Sequence, residues 1–303
     1  MAFRTIEISK PSEIHIKKTL LSIANPEDLN EEVLIPLEDI ATIRCIGYNI
    51  RFSSMALNQI TANGIMLMSL DDKYSPTSIV IPCEGYYSQS LVMKKQINMS
   101  KTKIDRLWCK IIKKKIENQS KALAILGKDG YKEVLEYSKN INSQNVDSKE
   151  ALAAKDYFEY YHLSLNRRTD DPINSALNYG YAVIRNAIAR AAVAAGFLIS
   201  YGLHHDNQFN LMNLIDDLIE PFRPMVDIIA IKVAGNNVEL TKPQRYKLAH
   251  ILHNACMMNN QKLNMLNAID IMLDSMRQYV VEDRLEVLLP DIIPEESMEL
   301  LNE

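Results

Sequence analysis

The period of hydrophobicity changes once along this 303-residue chain, and that change limits its folds more than any other feature. Up to about Pro82, short runs alternate apolar and polar residues: Phe3–Ser9, Glu13–Lys17, Thr19–Ile23, Val33–Leu37, Ile40–Ile46, Ile65–Leu70 and Ser78–Ile81. Asn25-Pro26, Asn63-Gly64 and Asp71-Asp72 separate them, as turns separate the strands of a small antiparallel sheet or sandwich. Ser53–Ala62 is the exception, a short amphipathic helix. From about Gln96 the repeat becomes helical. Helices are expected over 96–127, 131–141, 148–164, 172–202, 207–232, 242–255 and 260–282. Asp171 ahead of Pro172 and Thr241 ahead of Pro243 are good helix starts.

The expected fold is therefore α+β: a small N-terminal β-sandwich-like domain (1–82), a linker (83–95) and a larger all-α C-terminal domain (96–290). From Glu282 onward the chain carries eight acids against Arg284, and residues 291–303 read as an acidic, mobile tail.

Net charge is only −4, so a nucleic-acid surface has to be a local patch. The longest uncharged, mostly apolar run, Ala191–Leu203, falls short of the roughly 20 residues that span a bilayer. The N-terminus lacks the apolar stretch of a signal peptide. Cys45, Cys83, Cys109 and Cys256 are scattered, without metal or disulfide spacing, and read as reduced residues of a cytoplasmic protein. No GxxxxGK[ST], GxGxxG or GxSxG run is present, which leaves nucleotide hydrolysis, dinucleotide binding and serine-hydrolase chemistry without support.

Chemistry concentrates in Gly202–Asp227. Asp217 and Glu220 stand three apart, on one side of a helix, and His204 and His205 lie just upstream. Two carboxylates and an imidazole can hold a hard divalent cation. Pro221 kinks or ends the helix beside Glu220. A carboxylate pair on a helix is also an ordinary solvated face. Glu150 is a second candidate, although Asp147 as N-cap with Glu150 three residues on reads more simply as a capping box, which needs no chemistry. A third feature is the basic stretch from Lys94 to Lys121. There Lys103, Arg106, Lys110, Lys113 and Lys114 share one helical face, suited either to phosphates or simply to water. His15, His162, His250 and His253 have no convincing partners; His250 and His253 share a face, with Cys256 a weak third member.

The order of Glu150-Ala151, Asp171-Pro172-Ile173-Asn174, Asn178-Tyr179-Gly180-Tyr181, Gly202-x-x-His205 and Glu220-Pro221-Phe222-Arg223-Pro224 resembles the CRISPR-associated endonuclease/integrase family (Cas1), in its type II-like form. Ile35-Pro36-Leu37-Glu38-Asp39-Ile40 and Asn63-Gly64-Ile65 extend the resemblance over nearly the whole chain. It implies an enzyme of antiviral spacer acquisition, joining fragment 3′-hydroxyls to phosphodiesters of a CRISPR repeat. The implied catalytic and metal residues are Glu150, His205 and Glu220, with Asp217 as secondary acid and Mg²⁺ or Mn²⁺ as cofactor. His205 rather than His204 satisfies Gly-x-x-His, so His204 is expected to point elsewhere. Lys103, Arg106, Lys110, Lys113, Lys114 and Arg223 are the expected DNA contacts. Implied partners are double-stranded DNA, a second copy docked through the N-terminal domain, and a small ferredoxin-like CRISPR-associated subunit completing a heterohexamer, with other type II CRISPR proteins and no membrane. Two alternatives remain at this point: a stand-alone structure-specific nuclease, and a non-catalytic DNA-binding scaffold.

Overall fold

In the computed structural model, the alternating N-terminal segments become two four-stranded sheets. The structure describes residues 4–71, 76–80, 89–161, 171–282 and 286–293. The chain divides into two units, Met1–Gln89 and Ser90–Glu303. One sheet of the first unit orders β1 (Arg4–Ile8), β5 (Ile40–Cys45), β7 (Met66–Leu70) and β8 (Pro76–Val80). The other orders β4 (Asp28–Pro36), β3 (Leu20–Asn25), β2 (Ser12–Lys17) and β6 (Ile50–Phe52). Inward residues of both sheets, among them Ile14, Leu21, Ile43 and Leu67, share one core with Ala56 and Ile60 of α1 (Ser54–Ala62). The Ser53 hydroxyl starts α1 by accepting from the Ala56 N–H at 3.1 Å.

The sheets are mixed rather than antiparallel. β1 with β5, β5 with β7, and β2 with β6 pair in parallel. Parallel pairs need long connections, and α1 lies in the one between β5 and β7. Alternation reveals that a segment is a strand but not which strand it joins; the short β6 also escaped the pattern.

The second unit is mainly helical. It comprises α2 (Gln89–Ile97), α3 (Lys101–Ile125), α4 (Tyr131–Tyr137), α5 (Val146–Tyr161), α6 (Pro172–Ala194), α7 (Asn213–Leu218), α8 (Arg223–Val233), α9 (Lys242–Ala249) and α10 (Met265–Glu282). α3 is a central strut that buries Leu107, Trp108, Ile111, Ile112, Ile116 and Leu123. The apolar run beyond α6 is not helical to residue 202, because Gly196 at φ +87° turns the chain. No described helix is long and apolar enough to cross a membrane.

Several boundaries differ from the periodicity. The expected linker is helical from Gln89 onward, while residues 83–88 lie outside the described residues. The helix expected over 96–127 is two, with Ser100 capping α3 through the Lys103 N–H. α5 begins at Val146, so Asp147 lies inside its first turn and is no N-cap; residues 162–164 are not described. Pro221 divides 207–232 into α7, a 3₁₀ turn at Glu220–Phe222, and α8. A hairpin, β9 (Ala255–Met258) and β10 (Gln261–Asn264), separates the last two helices, and its Asn259 and Asn260 adopt the positive φ of a tight turn. The acidic tail is anchored at its start. Asp291 exchanges backbone hydrogen bonds with Met257, each 2.8 Å, and Ile292 and Ile293 are buried.

Candidate metal centre

Three segments bring their side chains to one face of α3. Lys115, a lysine on the apolar phase of that helix, is buried among Ile111, Ile112 and Ile116. Its Nζ lies 2.6 Å from Glu150 Oε1 of α5 and 2.6 Å from Glu220 Oε2 of the 3₁₀ turn. Pro221 sets that turn, and its carbonyl accepts a 2.8 Å hydrogen bond from Asn118 Nδ2, one turn along α3 from Lys115. The break in the helix is thus fastened to the strut that carries the lysine.

Glu220 is almost wholly buried. Its other oxygen accepts from Arg223 Nε at 2.8 Å, and the guanidinium lies 4.8 Å over the Tyr181 ring. Burial alone would raise the Glu220 carboxyl, but Arg223 and then Lys115 hold it down at about 2. Burial likewise opposes charge on Lys115, yet Glu220 and Glu150 keep its pKa above the ordinary lysine value. Further back, the buried Asp227 carboxylate accepts from the hydroxyls of Tyr157 (2.7 Å) and Tyr181, while Tyr161 donates to the Asp227 carbonyl. A chain of contacts therefore runs from Asp227 through Tyr181 and Arg223 to Glu220.

The histidine loop is tied to α7. Asp217, fully buried, accepts from the backbone N–H groups of Leu203, His204 and His205 and from His205 Nδ1 at 2.7 Å. Asn213 donates to the carbonyls of Ser200 and Asn207. Asp216 takes Arg185 in a two-point ion pair and also accepts from Asn210. Gly202 is required sterically, since a Cβ there would meet the His205 carbonyl at 2.3 Å and Asp217 Oδ2 at 2.8 Å. The hydrogen bond to Asp217 raises the His205 pKa against the opposing effect of burial. With Nδ1–H given to Asp217, neutral His205 has its Nε2 lone pair left for a ligand.

The His204 side chain turns to Trp108 and Asp147. Its ring stacks on Trp108 at 4.4 Å and 6°, with Nε2 3.8 Å from Asp147 Oδ1, while His205 meets Trp108 edge-on at 6.2 Å. Trp108 is two turns before Lys115 on α3. Glu150 and Glu220 are thus brought together directly, and His205 stands nearby under the control of Asp217. Among the described residues, no group of three His, Cys, Asp or Glu side chains stands in metal-holding geometry. The Lys115 ammonium fills the gap between the two carboxylates. That gap is the fit test for a divalent cation: two carboxylates already share one buried positive charge, and His205 lies within electrostatic reach of Glu220, so the donor types suit a hard cation.

The expected DNA face is only partly free. Arg106, Lys110 and Lys113 are exposed at positions i, i+4 and i+7. Lys103 lies over the Tyr279 ring at 4.7 Å. Lys114 turns inward to Glu117 at 2.8 Å and Asp291 at 3.2 Å. Arg223 belongs to the Glu220 cluster. Sequence reading gave no site role to Lys115 or Trp108, and quoted Tyr181 only as part of a motif. The available signal for Lys115 was its helical phase: of the three consecutive lysines, it alone falls on the buried side of α3.

A family model described as "CRISPR associated protein Cas1" matches residues 7–267. The CRISPR-associated endonuclease Cas1 of Neisseria meningitidis serogroup C (strain 8013) is 30% identical over 300 residues, 97% of this chain and 98% of that one. Among solved structures, a casposase bound to its integration product superposes at TM-score 0.72 with 17% identity, covering 94% of this chain and 92% of the other. A chain of a Cas6-RT-Cas1–Cas2 complex superposes at TM-score 0.70 with 14% identity, covering 93% of this chain and 35% of that longer one.

Proposed function

The chain belongs to the CRISPR associated protein Cas1 family, and from that premise we propose that it is a metal-dependent DNA integrase of CRISPR adaptation. The observation that supports this best is the pair Glu150 and Glu220 closed around one buried positive charge, beside an oriented His205. In this reading Glu150, Glu220 and His205 Nε2 hold Mg²⁺ or Mn²⁺. A bound cation supplies Lewis acidity toward a phosphodiester oxygen.

The remaining work is positioning. Asp217 keeps the Nδ1 proton and aims Nε2; Arg223 fixes one oxygen of Glu220 and leaves the other toward Lys115. The reaction is attack of a fragment's 3′-hydroxyl on a repeat phosphodiester, in line with the leaving 3′-oxygen. One phosphodiester forms as one breaks, so no protein nucleophile is needed. Double-stranded DNA, a second copy joined through the N-terminal unit and a small ferredoxin-like CRISPR-associated subunit are the partners in this reading. The likeness to a chain of a Cas1–Cas2 complex supports the last of these.

The test is joining of a labelled 3′-hydroxyl fragment to a repeat-containing plasmid with Mg²⁺ or Mn²⁺. Joined product is expected from the wild type with its small partner, and its loss in Glu150→Gln, His205→Ala and Glu220→Gln. His204→Ala should retain more activity than His205→Ala. Cleavage without joining would identify a nuclease instead, and DNA binding with neither reaction would identify a scaffold.

A further inference from the structure

We propose that segment 241–253 is a second nucleic-acid contact, a stacking platform for the bases of single-stranded DNA. It draws on the integrase reading only for the choice of polymer; the ring and charge arrangement stands independently. α9 runs into a 3₁₀ turn at His250–His253, and Tyr246, His250 and His253 follow one another along it. The Tyr246 and His250 rings are 5.9 Å apart at 29°, and those of His250 and His253 are 4.6 Å apart at 41°. The buried residues of the segment are Leu248, Ile251 and Leu252, so the core does not account for the ring column. Tyr246, at its outer end, is 70% exposed. Burial, and then the neighbouring His250, hold His253 below the ordinary histidine pKa.

Charge around the column is of one sign. Residues 240–269 contain Lys242, Arg245, Lys247 and Lys262 and no Asp or Glu, in a chain whose net charge is −4. Lys232, in the last turn of α8, adjoins α9 where Gln244 Nε2 donates to the Val233 carbonyl at 2.9 Å. On the neighbouring α10, Asp270 is taken by Arg190 and Asp274 by Arg277. Glu239 is the one nearby exposed acid in sequence. Among the described residues, no carboxylate pairs with Lys232, Lys242, Arg245 or Lys247. Exposed π-faces flanked by cations suit a single strand, whose bases stack on rings while its phosphates meet the cations. A duplex keeps its bases stacked on each other and would use the cations alone. The two imidazoles do not make a metal site: no third donor stands with them among the described residues, and Cys256 is buried.

The experiment measures anisotropy of the full chain, in EDTA, with a fluorescent single strand, an abasic strand of equal length and a blunt duplex. Tyr246→Ala/His250→Ala is expected to weaken single-strand binding about tenfold and to leave the abasic strand and duplex unchanged. Tyr246→Phe should bind like the wild type, because the ring face is kept. Lys242→Gln/Lys247→Gln should weaken all three ligands and flatten the salt dependence. Unchanged single-strand affinity in the aromatic variant, or an equal loss on the abasic strand, overturns the proposal. Because metal is absent, the result does not depend on Glu150, His205 or Glu220, and failure of the integrase reading shows separately in the joining assay.

Discussion

Replacing Lys115 by Met removes the one positive charge between Glu150 and Glu220. Both carboxylate oxygens stand 2.6 Å from that ammonium, so they are at most about 5 Å from each other. At an effective dielectric of about 20, two negative charges at that separation repel by about 3 kcal/mol. Breaking a buried pair by removing one partner costs about 3–5 kcal/mol in general, because the remaining charge is left uncompensated. Arg223 stays on Glu220 and keeps the loss toward the lower figure. A destabilisation of about 3 kcal/mol should lower the midpoint by about 6–12 °C for a unit of this size. The assay is thermal unfolding by circular dichroism in EDTA and again with Mn²⁺, paired with calorimetric Mn²⁺ titration. A divalent cation should raise the melting temperature of Lys115→Met by more than that of the wild type, and should bind the variant more tightly, having no ammonium to displace. The reasoning is refuted if the variant melts with the wild type in EDTA, or if Mn²⁺ binds it more weakly.

Asp217→Asn puts an amide N–H₂ against backbone N–H donors and loosens the His205 ring; Mn²⁺ affinity should fall about 10–100-fold, measured by calorimetry, and a loss under twofold would contradict the orienting role. The Glu220 carboxyl lies at about 2 against an ordinary 4.5. A depressed folded pKa gives stability that is present above the unfolded value and lost as pH falls through the folded one. Its contribution, on the order of 3 kcal/mol at neutral pH, should therefore fall by more than half by about pH 3; denaturant unfolding of wild type and Glu220→Gln should show the gap between them closing over that window, and a constant gap would contradict it. Arg106, Lys110 and Lys113 changed together to Gln should reduce the slope of log duplex affinity against log salt by up to about 2.7, from about 0.9 per lost phosphate contact. Lys114 is left out of that set because Glu117 and Asp291 already hold it.

Much of the fold was legible where one residue's local chemistry decides the outcome. Asp171 caps α6 through the Ile173 and Asn174 N–H groups, as Asp followed by Pro announces. Thr241 and Gln244 close a capping box at α9. The strand alternation gave seven of the N-terminal strands, because half-buried faces leave a period of two. Strand partnership and the β9–β10 hairpin were not legible. The first depends on contacts far apart in sequence, and the second on a two-residue Asn turn inside a stretch with helix-like spacing. The candidate site divides in the same way. Glu150, His205 and Glu220 are found by motif, but Lys115 can be placed between two of them only when α3, α5 and the 3₁₀ turn are assembled. Asp147 and Glu150 look like a cap in sequence; the turn at 142–145 starts the helix earlier and leaves Glu150 free to face Lys115.

Gly202 and Asp217 have a consequence for how this chain can vary over generations. A methyl group at position 202 would occupy the space of the carboxylate oxygen that receives the Leu203 and His204 N–H groups. Emptying position 217 instead strands those donors and releases the imidazole. Either change alone is costly, so the two positions, fifteen apart, are coupled: a side chain at 202 needs a different acceptor at 217, and a new residue at 217 needs other partners for the loop N–H groups.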